Sequence, residues 1–234
     1  MAMFSTARHT SSGRRARSHA LPLLLAGALA IAAVSLIAYL LWPTWETVAS
    51  TGPQRLPVSV GGTLFNLPTD AIRMKIQRHS GQQERIDLSF TFPSLDPPEP
   101  PKRISADTVE DMMAPIDRIF LSIAAHHDTL APDLRLRTIY SRYLEQESKP
   151  GQDGLTMRAF RETTPYGGED LFFASAPSLD ARCTRDAETP GMCLSERRVD
   201  GADLTFRFPR SWLSQWREVA DAMDRLTVQL HGPR

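Results

Sequence analysis

From Ala20 to Trp42 the chain reads ALPLLLAGALAIAAVSLIAYLLW, 23 residues without a charged side chain. About 20 such residues suffice to cross the hydrocarbon core of a bilayer as a helix, the form in which every backbone polar group is satisfied internally. Pro22 falls in the first turn, where its missing N–H does no harm. Tyr39, Trp42 and Trp45 supply amphipathic rings for the far interface. A secretory signal has an apolar core of about 7–15 residues closed by a small-x-small cleavage site. Here the run continues into the bulky Pro43-Thr44-Trp45. Residues 20–42 are therefore expected to form an uncleaved transmembrane signal-anchor.

Charge sets the expected orientation. Residues 1–19 hold Arg8, Arg14, Arg15 and Arg17 and no acid, while the first charge beyond the run is Glu46 and the first positive one is Arg55. The positive-inside rule then keeps this basic tail in the cytoplasm and exports the rest as a single-pass protein. The chain uses 24 Arg but only Lys75, Lys102 and Lys149, a usage associated with GC-rich bacterial genomes. The expected location is thus the inner membrane, with the C-terminal body in the periplasm. Of 27 basic and 27 acidic residues, the four arginines of the tail are set apart, and 23 basic residues face all 27 acidic ones beyond the run, a net of −4. A mildly acidic body is not expected to bind nucleic acid.

Residues 43–57, PTWETVASTGPQRLP, combine three prolines with Gly52 and small polar residues and read as a flexible linker. Residues 58–234 are long enough for one domain with its own core. Ile86, Leu88, Phe90 and Phe92 alternate with Asp87, Ser89 and Thr91, the pattern of a half-buried strand. Leu204, Phe206 and Phe208 alternate in the same way after Asp200-Gly201, a pair suited to a two-residue type I′ hairpin turn. Further strands are expected in 58–67, 118–124, 155–161 and 171–175. Leu136, Ile139, Tyr140, Tyr143 and Leu144 form one helical stripe. Trp212, Trp216, Val219, Ala220, Met223 and Leu226 form another, with Ser211 as its expected N-cap. A shorter helix is expected at 108–113. The five prolines at 93, 97, 98, 100 and 101 read as a stiff connector. The fold class expected is α+β, an antiparallel sheet of five to seven strands covered on one face by two amphipathic helices.

Chemistry-bearing residues are few. Cys183 and Cys193 flank a segment that turns at Pro190-Gly191, and in an oxidising compartment they are expected to form a disulfide. His126-His127-Asp128 is the densest group of acid/base or metal-ligating types. Neighbouring strand residues point to opposite faces, so the two imidazoles do not converge on one ion, and no metal site or cofactor is expected. Gly61-Gly62 and the 165–168 cluster Pro-Tyr-Gly-Gly read as turns, and Glu110-Asp111 and Glu169-Asp170 as surface charges. The chain has no G-x-S-x-G elbow, no S-x-x-K set and no Gly-rich phosphate loop. Two function classes follow. The first is a membrane-anchored periplasmic accessory, scaffold or sensor module that binds a protein partner in the envelope. The alternative is a tethered envelope hydrolase whose site gathers His126, His127, Asp128 and Glu169 from separated segments.

Overall fold

The computed structural model describes residues 20–41, 54–99 and 115–231. The basic tail, Trp42, Trp45, most of the linker, the helix expected at 108–113 and the last two prolines of the connector lie outside the described residues. The chain divides into two units, Met1–Thr51 and Gly52–Arg234.

In the first unit, α1 runs Ala20–Leu41. Its described side chains extend only from residue 24 to residue 37, all of them exposed. Among the described residues no helix is long and apolar enough to cross a membrane. A span needs about 20 apolar residues, so the transmembrane expectation for 20–42 is not established by the structure.

The second unit is built on two sheets. A small one has the order β2-β1-β3, from β1 (Arg55–Val60), β2 (Thr63–Pro68) and β3 (Gly81–Gln83), with β1 and β3 parallel. Arg55, Leu56 and Pro57, the end of the expected linker, already belong to β1, where Leu56 is buried. The large sheet has eight strands, all antiparallel. They are β4 (Arg85–Thr91), β5 (Arg118–Ala125), β6 (Lys149–Pro150), β7 (Thr156–Ala159), β8 (Glu169–Ser175), β9 (Ser178–Thr184), β10 (Met192–Val199) and β11 (Ala202–Pro209). Their order is β4-β5-β11-β10-β9-β8-β7-β6, a meander from β6 to β11 extended by β5 and β4.

The alternation expected for β4 and β11 is observed, and register shows why it matters. Leu88 faces Leu121 and Leu121 faces Phe206, while Ile86, Ile123 and Leu204 form the next row. These residues, with Phe90, Ile119 and Phe208, line one face and are buried. That face is covered by the small sheet and by α4 (Trp216–Leu230), whose Trp216, Val219, Ala220, Met223, Leu226 and Leu230 are all buried in the same cluster. Ser211 does not cap this helix. The segment Arg210–Gln215 is a 3₁₀ turn after Pro209, and the α-helix starts at Trp216 without a side-chain cap.

The other amphipathic helix lies on the opposite face, which corrects the expectation that both share one. It runs as α2 (Pro132–Arg135), a π-helical stretch Leu136–Tyr140 and α3 (Ser141–Tyr143). Its stripe packs into a separate cluster in which Tyr140, Leu144, Phe160 and Leu171 are buried. This helix covers the β7-β8-β9 side, and its first turn reaches the Glu196 end of β10 through Arg135. Over β5, β11 and the Met192–Leu194 end of β10 the second face stays open.

The Asp200-Gly201 turn closes the β10–β11 hairpin as expected, with Val199 paired to Ala202. Only Asp200 takes a left-handed φ, +48°, so the turn is not type I′. Glycine is needed at 201 for space. A Cβ there would stand 1.8 Å from the Gly61 carbonyl oxygen in the turn between β1 and β2.

Candidate functional site

The open part of the second face is a groove. The outward positions are Phe120 on β5, Arg207 on β11, Leu194 on β10 and Arg182 on β9, which register places in one row across four strands. In a strand whose inward residues are Ile119, Leu121 and Ile123, an outward phenylalanine is an apolar side chain on the wet side. Phe120, Leu194 and Met192 are half-buried here, and Arg207 is exposed. Arg73, from the loop after β2, lays its guanidinium 4.9 Å from the centre of the Phe120 ring. The cavity bounded by Arg73, Phe120, Arg182, Met192, Leu194 and Arg207, with the Glu169 carboxylate and Thr184 in its wall, has a volume of about 360 Å³.

Arg182 and Leu194 also line a second cavity of about 320 Å³ toward the 132–143 helix, so the two adjoin and together make up the groove. Arg182 is held firmly between them. Its guanidinium lies 4.8 Å from the Tyr166 ring and 5.6 Å from Tyr140, and its Nη1 is 3.2 Å from Glu169 Oε2. That contact is close enough for an ion pair but misaligned for a hydrogen bond, and the buried Nε of Arg182 has no hydrogen-bond partner. At the helix end, Arg135 donates to Glu196 at 2.6 Å and Arg198 donates to Asp203 at 2.7 Å. Burial pushes the Tyr140 phenol above its usual range, opposed by the nearby Arg182 and reinforced by Glu196. Asp180 keeps an exposed edge, yet the groove walls push its carboxyl up against the pull of Arg197 and Arg137.

Of the residues singled out from sequence, Glu169 lines the first cavity beside Arg182, and the histidine group falls elsewhere. His126, His127 and Asp128 form a turn after β5. The His126 N–H donates to the Gly201 carbonyl at 3.2 Å, and His127, with φ +35°, pairs its Nε2 with Glu84 at 2.9 Å on the surface. The His126 Nδ1 is buried without a partner. Glu169 sits on β8, level with Thr184 at the other end of the strands. With about 3.4 Å per residue along the strands and 4.8 Å per strand across them, it stands on the order of 30–35 Å from the histidine turn. The structure brings the first three together and leaves Glu169 apart. Among the described residues no group of three or more His, Cys, Asp or Glu is arranged to hold a metal.

Glu169 and Asp170 are not surface charges. Asp170 is buried and accepts from Arg185 Nε at 3.0 Å and Arg210 Nη2 at 2.6 Å, tying β8 to the strands and loop beside it. Gly167 and Gly168 form a turn, as expected, which folds Tyr166 back against Tyr140 and Phe160, each 5.1 Å away. Cys183 and Cys193 face each other on β9 and β10 and form a disulfide.

No protein-family model and no curated protein matches the chain. Among solved structures it is similar to an immunity protein of the Stenotrophomonas maltophilia type IV secretion system, with 13% identity, a TM-score of 0.52, and coverage of 77% of this chain and 94% of that one. It also matches the iron-regulated outer membrane lipoprotein FrpD of Neisseria meningitidis at 9% identity and a TM-score of 0.35, over 66% of this chain and 80% of that one. At such identities the first likeness is one of fold.

Proposed function

We propose that this chain is an accessory protein of the bacterial envelope that binds a protein partner through the open face of its large sheet. The observation that carries this is the groove itself. Half-buried apolar side chains and arginines line a shallow, continuous surface, and uncovered apolar patches rimmed by polar groups are what partners cover. The likeness in fold to an immunity protein of a secretion system agrees with an accessory role, and the groove carries the argument. The uniformly apolar α1 and the four arginines before it support an inner-membrane anchor with the domain in the periplasm. The Cys183–Cys193 disulfide fits an oxidising compartment. Among the described residues Glu169 and the histidine turn stand apart, so they supply no shared site in support of the hydrolase alternative.

The test joins topology to partnership. C-terminal fusions of the full chain to alkaline phosphatase and to green fluorescent protein should give active phosphatase and dark fluorophore. Cross-linking in cells followed by affinity isolation should recover one stoichiometric envelope protein. A fluorescent fusion overturns the topology, and an empty isolation from folded, abundant protein overturns the partner-binding function.

A further inference from the structure

We infer that the basic end of the groove takes a short acidic segment of the partner, its carboxylates against Arg73 and Arg207 and one apolar side chain against Phe120, Met192 and Leu194. This rests on the partner-binding function proposed above and names its chemistry.

Charge pairing on this face points to an anionic occupant. Arg85 is matched by Asp87, Arg135 by Glu196, Arg182 by Glu169 and Arg198 by Asp203. Arg73 and Arg207 are exposed and have no ion pair among the described residues. Both border Phe120, Arg207 as its cross-strand neighbour and Arg73 stacked on its ring. An arginine held over an aromatic face keeps its planar fork free for a carboxylate. Between and beside them lie the apolar surfaces of Phe120, Leu194 and Met192. The row from β5 to β9 spans three strand spacings, about 14 Å, which accommodates roughly four residues of extended chain.

Whole-molecule charge selects the size of that anion. Beyond the apolar run the chain carries a net of −4, so an extended polyanion or an anionic bilayer meets overall repulsion. A short acidic segment lies within about one Debye length of the two unpaired arginines, and the carboxylate that lines the same cavity, Glu169, is already paired with Arg182. An acidic, partly apolar peptide segment therefore fits better than a lipid surface or a nucleic acid.

The experiment places photoreactive benzoylphenylalanine at position 120 or 192 in the full-length protein in cells. Position 228 serves as a control, because Val228 is exposed on α4, which covers the other face of the sheet. Positions 120 and 192 should capture the same protein through a segment containing Asp or Glu, and position 228 should not. Arg73→Glu with Arg207→Glu should lower capture about tenfold. The milder Arg73→Gln with Arg207→Gln should lower it less, and Arg225→Glu on α4 should leave it unchanged. Lysines at the mapped carboxylates should restore capture by the Glu double variant, whose melting temperature should match that of the parent. Lipid adducts, a captured segment without acids, or full capture by the folded double variant overturns the groove assignment. Capture from position 228 alone overturns it while leaving partner binding intact, and no protein adduct at any position overturns both.

Discussion

Gly201 and Gly61 meet backbone to backbone, and this contact joins three parts of the fold. The turn between β1 and β2, the turn between β10 and β11, and the end of β5 converge there. The Gly201 N–H donates to Thr63 Oγ1 at 2.9 Å, and its carbonyl accepts from His126 at 3.2 Å. In Gly201→Ala the new Cβ would stand 1.8 Å from the Gly61 oxygen and 2.9 Å from its carbon, both rigid backbone atoms. Real Cβ contacts lie beyond 3.0 Å, so the turns must part by more than about 1 Å. Both hydrogen bonds are then lost, at about 1 kcal/mol each, and the packing around the buried Thr63 opens with them. The expected cost is about 2–4 kcal/mol.

Three companions separate space, backbone conformation and the lost hydrogen bond. Gly62 has φ +82° and nothing within 4 Å of a built Cβ, so Gly62→Ala meets only the left-handed penalty of about 1–2 kcal/mol. Thr63→Val removes the hydroxyl alone and should cost about 1–2 kcal/mol by orphaning the Gly201 N–H. Gly61→Ala, with φ +58° and a Cβ 1.9 Å from the Gly201 oxygen, should cost at least as much as Gly201→Ala. Urea unfolding of the full chain in detergent micelles, followed by tryptophan fluorescence, measures all four. A Gly201→Ala protein within about 0.5 kcal/mol of the parent, or one less affected than Gly62→Ala, would refute the close-approach account.

Three further outcomes follow from the same structure. Replacing both Cys183 and Cys193 by Ala reopens a loop of about 11 residues and should cost about 2.8 kcal/mol by chain entropy. For a domain of this size that lowers the melting temperature by about 5–10 °C, and reductant should reproduce the drop in the parent only. Asp170→Asn leaves Arg210 without its counter-charge and Arg185 with Glu162 alone, and because the two arginine side chains are 18% and 37% exposed, the expected loss is about 2 kcal/mol, below the range for a fully buried pair. Burial pushes Asp87 up, but the hydrogen bonds and charge of Arg85, with Gln77 and Ser122, outweigh it and hold the carboxyl below its usual value. A depressed carboxylate stabilises above its unfolded pKa near 4 and loses that contribution as pH falls through the folded value. Asp87→Asn should therefore flatten the acid limb of the stability profile below about pH 4, and an unchanged limb would refute the assignment.

How legible each element is depends on whether its signal is local. β4, β11 and α4 announce themselves because one face of each is buried, which imposes a period on neighbouring residues. β3 has no such period. Its residues Gly81–Gln83 pair with β1 through the backbone, and Gln83 is buried because its amide donates to the Gln77 and His79 carbonyls. The start of α4 is displaced from Ser211 to Trp216 by tertiary packing. Trp212 stacks on Phe92 at 4.4 Å and the Trp216 indole donates to the Gln152 carbonyl, so the preceding turn is set by two rings and a distant loop. Nor can periodicity state which face of a sheet a helix will cover, and the two amphipathic stripes divide between them.

The groove residues left a faint trace and the histidines a misleading one. Phe120 breaks the alternation of β5 and Leu194 that of β10, two apolar residues out of phase in strands that otherwise have one buried face. An out-of-phase apolar residue marks a second covered surface, and for Leu171 on β8 that cover is the chain's own helix. For Phe120 and Leu194 the described chain supplies only partial cover. What no local pattern shows is that β11 inserts between β5 and β10, which aligns Phe120, Arg207, Leu194 and Arg182 in one row although 87 positions separate Phe120 from Arg207 along the chain, a separation that only sheet order closes. His126, His127 and Asp128 stood out because they are adjacent in sequence, yet their turn is held by the Gly201 carbonyl and Glu84 and serves a structural joint. In this fold the residues suited to meeting a partner are those that neighbouring strands assemble, and the polar cluster visible along the chain belongs to its framework.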